Sequence, residues 1–218
     1  MDAATLLTQG SPVSRAVAAL LLAMSVASWV VIVWKVWLLR RAAQDVARST
    51  AAFWQASDLD DAQHKVAALD RVSLVSALVA ATRGLGIGQP GTLGRSGPPA
   101  QQLTRLLRDA LHAVVGRLQF GQILLATVGS TAPFVGLLGT VWGIYEALAA
   151  IANAGQITID QLAGPVGEAL IMTAAGLAVA IPAVLAYNIL GRRVARIEAD
   201  LEGFAQDLLN LLDPSTGA

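Results

Sequence analysis

The most constraining feature of this chain is a 31-residue stretch, Gln161–Gly191, in which Glu168 is the single charged residue. A helix of about 20 apolar residues can cross a bilayer, so this stretch predicts a transmembrane helix. A carboxylate on such a helix costs about 2.5 kcal/mol or more near the bilayer centre, and such residues usually face protein or water and take part in ion or proton movement. Glu168 is therefore the first candidate functional residue.

Two further uncharged stretches meet the same length criterion, Ala16–Trp34 and Gly121–Tyr145. Of the 218 residues, 55% are hydrophobic and 14% are charged, fewer charged residues than soluble domains carry. Fifteen basic and fifteen acidic residues cancel, which leaves no excess for binding nucleic acid. The chain has no cysteine and only two separate histidines, so no metal cluster, cofactor site or nucleophile–base set indicates an enzyme.

The basic residues predict the orientation of the three spans. Ten lie between spans one and two, three follow span three, and none lies between spans two and three. Because cytoplasmic loops carry the excess of Lys and Arg, we expect the N-terminus outside and the C-terminus in the cytoplasm. The predicted order is a periplasmic N-terminus 1–15, span one 16–38, a cytoplasmic segment 39–120, span two 121–147, a periplasmic loop 148–161, span three 162–190 and a cytoplasmic helix 191–218.

The cytoplasmic segments also indicate helix, so the predicted fold is an all-α membrane protein with long helical cytoplasmic extensions. Leu38–Thr82 contains no proline or glycine and is rich in alanine, which predicts helix. A glycine- and proline-rich loop follows at 84–100, and helix resumes from Gln101. An amphipathic helix that packs in a bundle is predicted after span three, with an apolar stripe of Ile197, Leu201, Phe204, Leu208 and Leu211. Its acidic polar face disfavours the alternative, a helix lying on anionic lipid.

Small residues on span two predict close contact with another helix. They recur at helical spacing, and the stripe consists of Ala132, Gly136, Gly139 and Gly143. Thr140 lies beside this stripe; composition alone favours a hydroxyl that bonds to its own helix carbonyls, as is common in membrane helices. Proline removes a helix hydrogen bond, so we expect bends at Pro133 and Pro182.

On span three, helical steps place four residues near the face of Glu168, which is otherwise apolar and mostly small: Met172, Ala175, Val179 and Ala186. Thr173 lies about 140° from Glu168 and is expected to face a neighbouring helix. With no basic partner in these spans, Glu168 suits proton exchange better than permanent cation binding. The alternative is a neutral, structural Glu that hydrogen-bonds a neighbouring helix.

Glu146 and Asp160 lie near the predicted outer surface, where a charge costs little. Two interpretations stay open for them. Either they attract cations to an outer entrance of the pathway, or they are solvated residues at the rim of the protein.

Around these residues the chain resembles the ExbB/TolQ/MotA family of ion-driven motor subunits, most closely its ExbB members. The strongest matches are ATVGSTAPFVGLLGTVWGI at 126–144 and GEALIMTAAGLAVAIPAVLAYN at 167–188, and a weaker one is SVASWVVIVWK at 25–35. The likeness covers all three spans in their order. MotA members differ in having four spans and a longer charged cytoplasmic region.

The resemblance implies a subunit that passes protons inward across the bacterial inner membrane, with no cofactor besides the translocated proton. It also implies a homopentamer around a dimer of a single-span ExbD-like partner whose helices carry an essential Asp, and work delivered to TonB for outer-membrane import. By position in the motifs, Glu168 matches the family's functional Glu, and Thr140 and Thr173 match its two polar channel threonines. Three positions depart from the family pattern: Glu146, Gly167 and Met172.

Other functions stay open beside a proton channel that energises TonB. A TolQ-like role in the Tol-Pal envelope system belongs to the same family, and the sequence does not separate the two. A solute transporter is disfavoured because three dissimilar spans provide no inverted repeat. The last alternative is a scaffold in which Glu168 is purely structural.

Overall fold

The computed structural model describes residues 11–84, 97–154 and 159–212, with the backbone alone for 151, 153, 154 and 159–163. These residues are helical apart from short turns, which confirms the predicted all-α fold. The helices are α1 Pro12–Trp54, α2 Leu59–Leu69, α3 Val75–Thr82, α4 Pro99–Gln119, α5 Gln122–Ala154 and α6 Ile159–Leu212.

Three helices, α1, α5 and α6, are long and apolar enough to cross a membrane, as the sequence predicts. Helix also covers most of the predicted loop 148–161, because α5 continues to Ala154 and α6 begins at Ile159. Residues 1–10, 85–96, 155–158 and 213–218 lie outside the described part of the chain, and with them most of the predicted 84–100 loop. The membrane boundaries and the side on which each terminus lies stay predictions.

Two compact units divide the chain, and α1 and α6 contribute residues to both. The first unit, residues 1–35 and 121–189, contains most of the three predicted spans. Its core joins all three long helices and consists of Val17, Leu21, Val128, Ala132, Met172, Ala180 and Ala183. Large apolar side chains such as Phe134 and Ile181 stay exposed on this unit, as expected for helices that face lipid or further membrane helices.

The second unit, residues 36–120 and 190–218, is a separate helical bundle. The predicted stripe on the last helix forms part of its core: Ile197, Leu201, Phe204 and Leu208 are buried, whereas Leu211 is exposed. The rings of Phe204 and of Phe53 from α1 pack at right angles to each other, with a centroid distance of 5.1 Å. The amphipathic pattern therefore predicted the packed face correctly except at its last member.

The prediction of helix throughout Leu38–Thr82 is wrong at two breaks, the first between α1 and α2. Asp58 Oδ1 accepts a hydrogen bond from the Asp61 amide at 2.7 Å, and Asp61 Oδ2 accepts one from the Ser57 amide at 3.0 Å. This reciprocal cap starts α2. The Lys65 ammonium donates to Asp61 at 2.6 Å, and this bond is the main cause that lowers the pKa of Asp61.

The second break separates α2 from α3. Asp70 Oδ2 accepts from the Ser76 amide at 2.7 Å at the start of α3, and Ser73 adopts a positive φ of 56°. The Arg117 guanidinium donates to the Ser73 carbonyl at 2.7 Å and holds this turn. Short polar side chains offer the backbone alternatives to helix, and here they overrule the helix propensity of the surrounding alanines.

Candidate functional site

Helices α5 and α6 approach backbone to backbone where the small-residue stripe of span two lies. A Cβ on Gly136 would lie 2.6 Å from the Met172 carbonyl oxygen, and a Cβ on Gly176 would lie 2.7 Å from the Ala132 carbonyl oxygen. Real Cβ atoms do not come so close to backbone oxygens, so this crossing requires glycine on both helices.

The other two glycines of the stripe also face α6. A Cβ on Gly139 would lie 3.0 Å from Met172 Cβ, and one on Gly143 would lie 3.0 Å from Ala169 Cβ. The small residues on the α5 side of this contact were predicted from the sequence, but Gly176 on α6 was not. An isolated glycine within a long apolar helix was the available signal, because it often marks a close approach of another backbone.

Thr140 is buried at this contact between α5 and α6. Its Oγ1 lies 3.0 Å from the Ala169 carbonyl oxygen and 3.2 Å from the Gly136 carbonyl oxygen, and it is hydrogen-bonded to Thr173 Oγ1. A hydroxyl donates one proton, so when Thr140 donates to a carbonyl it accepts from Thr173. Thr140 thus bonds to a carbonyl of its own helix, as composition favours, and also contacts two residues of α6.

Thr173 was expected to face a neighbouring helix, and that neighbour is α5 of the same chain. Three other hydroxyls nearer the start of α5 bond to carbonyls of their own helix at 2.7–3.0 Å: Thr127, Ser130 and Thr131. Thr140 and Thr173 therefore differ from these in joining two helices.

Glu168 lines a cavity of about 280 Å³ inside the first unit. Small residues of α5 and α6 form much of its wall, among them Gly139, Gly143, Ala147 and Ala169. The side chain of Glu168 is partly exposed, and Ala169, the residue after it, supplies the carbonyl oxygen that Thr140 contacts. Thr140 of α5 therefore contacts α6 at the residue that follows Glu168.

Glu146 lines the same cavity from α5. Trp142 Nε1 donates a hydrogen bond to Glu146 Oε1 at 2.8 Å, one helical turn away. The Trp142 ring also lies 5.6 Å from the ring of Tyr145, centroid to centroid. The structure therefore brings Glu146 to the cavity that Glu168 lines, and both interpretations of Glu146 from the sequence stay predictions.

The N-terminus of α1 completes the wall with Ser11 and Ser14, which the sequence argument did not single out. Ser11 Oγ accepts from the Ser14 amide at 3.2 Å, and Pro12 is the first residue of α1. Serine before a helix with proline as its first residue is a recognised start signal. That signal was present in the sequence, but it does not tell which cavity the helix end adjoins.

The remaining predicted residues are less defined. The side chain of Asp160 lies outside the described residues, so its entrance role stays a prediction. Helix continues through Pro133, Pro165 and Pro182, and the expected bends stay predictions. Among the described residues there is no group of three or more His, Cys, Asp or Glu able to hold a metal ion.

Comparison with known proteins identifies relatives for most of the chain. Residues 88–203 match the profile of the MotA/TolQ/ExbB proton channel family. A Biopolymer transport protein ExbB of Xanthomonas campestris pv. campestris is 45% identical over 202 residues, covering 90% of this chain and 80% of the relative. Another ExbB, from Neisseria meningitidis, is 40% identical over 201 residues, covering 91% of each chain. A Tol-Pal system protein TolQ of Haemophilus influenzae is 32% identical over 212 residues, covering 95% of this chain and 92% of the relative.

Proposed function

The chain belongs to the MotA/TolQ/ExbB proton channel family, and from this premise we propose that it conducts protons to energise TonB-dependent import across the outer membrane. It is a multi-pass protein of the bacterial inner membrane, with three apolar helices long enough to span it. The family consists of proton-channel components rather than enzymes.

The observation that carries the proposal is the placement of Glu168. This carboxyl is the one charge in a 31-residue apolar stretch, and it lines a cavity together with Ala169, whose carbonyl oxygen Thr140 contacts across α5 and α6. Acids on transmembrane helices are rare and usually mark ion or proton pathways. The proposed roles are a proton carrier for Glu168 and polar contacts along the path for Thr140 and Thr173.

The energetics suit a proton rather than a resident cation. Ionising Glu168 in an apolar span is costly, so the carboxyl is expected to release its proton only where a polar or charged group becomes available. In the proposed assembly, five copies surround a pair of single-span ExbD-like partners, and an acid on the partner helix supplies that group. One charge moving down 100 mV releases about 2.3 kcal/mol, so several protons can drive one mechanical step.

The choice of TonB over Tol rests on the relatives. Proteins named ExbB are 40% and 45% identical to this chain over about nine-tenths of its length, against 32% for the TolQ relative. A TolQ-like role in the Tol-Pal system is the second candidate, because that relative covers 95% of the chain.

The test is iron–siderophore uptake in a strain that lacks both ExbB and TolQ. The strain expresses the chain together with an ExbD-like protein, as wild type, Glu168→Gln or Glu202→Gln. Glu202 is exposed on α6 in the second unit, so its variant makes the same chemical change on the same helix away from the cavity. We expect uptake with wild type and Glu202→Gln, and none with Glu168→Gln at equal membrane expression.

Uptake by Glu168→Gln at the wild-type rate would contradict the proton-carrier role. If no variant supports uptake but wild type restores envelope integrity in a detergent-sensitivity assay, the TolQ-like role replaces the TonB role.

A further inference from the structure

The cavity in the first unit holds carboxyl groups from two different helices. Glu146 reaches it from α5 and Glu168 from α6, and both side chains are partly exposed. Cavity-lining residues on α5 run from Gly139 to Ala150, a distance of about 16 Å along a helix with a rise of 1.5 Å per residue. The cavity therefore extends from the glycine stripe towards the connection between α5 and α6.

Glu146 is held in place rather than left to solvent. Its Oε1 accepts the indole hydrogen of Trp142 at 2.8 Å, which fixes the carboxyl on the cavity side of α5. An ionised carboxylate has two acceptor oxygens, so this bond leaves the second oxygen able to take up a proton.

Other groups around the cavity favour passage of a proton. The N-terminus of α1 contributes the hydroxyls of Ser11 and Ser14, which can both donate and accept hydrogen bonds. A water molecule occupies about 30 Å³ in the liquid, so a volume of about 280 Å³ accommodates several. Gly139 and Gly143 line the cavity on its α5 side.

We propose that Glu146 is a second proton-carrying carboxyl, which passes protons to Glu168 through this cavity. The inference rests on the proposed function and adds a donor on the side of the α5–α6 connection. In the transfer, an O–H bond breaks at the Glu146 carboxyl and forms at the Glu168 carboxylate, directly or through water, with no change of oxidation state. The Trp142 indole then stabilises the carboxylate left at Glu146, and Thr140 and Thr173 lie beyond Glu168.

Proton flux in vesicles tests the proposal. The chain and its ExbD-like partner are reconstituted together, a potassium diffusion potential is imposed, and a pH-sensitive dye in the lumen reports proton entry. Glu146→Gln keeps an oxygen that accepts from Trp142 but no longer carries a proton, and we expect at least a fivefold lower flux. Glu146→Asp keeps the acid and is expected to restore a large part of the flux. Glu202→Gln is the matched control and should conduct as wild type.

The outcomes separate this inference from the function on which it rests. Wild-type flux in Glu146→Gln, with no flux in Glu168→Gln, would overturn the role of Glu146 and leave the proposed function standing. Equal loss in Glu146→Gln and Glu146→Asp, with unchanged assembly and melting temperature, would overturn it too, because restoration by an acid is required of a proton carrier. Wild-type flux in Glu168→Gln would overturn the proposed function itself.

Discussion

At the scale of single residues, removing the hydroxyl of Thr173 tests whether this residue serves proton passage or only helix packing. It bonds to Thr140 across two helices, and an interhelical bond of this kind contributes about 0.6 kcal/mol to stability in membrane proteins. Thr173→Val preserves the shape of the side chain and removes the hydroxyl. We predict a melting temperature within a few degrees of wild type but at least a fivefold loss of siderophore uptake.

Two comparisons make this prediction decisive. Thr173→Ser returns the hydroxyl and should restore uptake. Thr131→Val removes a hydroxyl that bonds to the Thr127 carbonyl of its own helix at 2.7 Å, and should leave uptake near wild type. Full uptake by Thr173→Val would show that the hydroxyl pair has no part in proton passage.

At the scale of elements, the contact between α5 and α6 depends on glycine. A Cβ on Gly136 would lie 2.6 Å from the Met172 carbonyl oxygen, so Gly136→Ala must move one helix backbone. Such overpacking costs about 1 to 3 kcal/mol. We predict a lower melting temperature for the purified chain in detergent, followed by the fluorescence of its five tryptophans.

Gly164→Ala is the matched control, since a Cβ there meets nothing within 4 Å. This variant should melt at or slightly above the wild-type temperature, because alanine favours helix over glycine by about 0.5 to 1 kcal/mol. If both variants melt like wild type, the two helices do not approach as closely as described.

Sequence reasoning predicted some structural elements more completely than others. Uncharged length alone predicted the helices that can span a membrane, and helical spacing predicted the buried face of α6 down to Leu208. It missed the breaks before α2 and α3, because Asp58 and Asp70 cap those helices through bonds that propensity does not register. It also missed the cavity, which exists only because α1, α5 and α6 come together there.

At the scale of the whole molecule, the distribution of basic residues predicts on which side of the membrane each segment between the spans lies. The chain has no cysteine, so a single introduced thiol can be labelled without any other change. Gly116 and Gly203 have open space where a side chain would begin, and Ala152 is exposed in the predicted periplasmic loop 148–161, so these three positions are suitable. A membrane-impermeant maleimide applied to intact spheroplasts should label Ala152→Cys but not Gly116→Cys or Gly203→Cys.

After permeabilisation, all three variants should react, which controls for accessibility of the thiol. Labelling of Gly203→Cys in intact spheroplasts would place the C-terminal helix outside and reverse the proposed direction of proton entry.

The most direct test of the central claim is proton flux through the reconstituted chain and its partner under an imposed membrane potential, with wild type compared to Glu168→Gln. The two proteins differ by one carboxyl in a span that has no other charge. We predict inward flux for wild type and background leakage for Glu168→Gln, with equal incorporation and assembly. Equal flux in the two would contradict the claim that this carboxyl carries the proton.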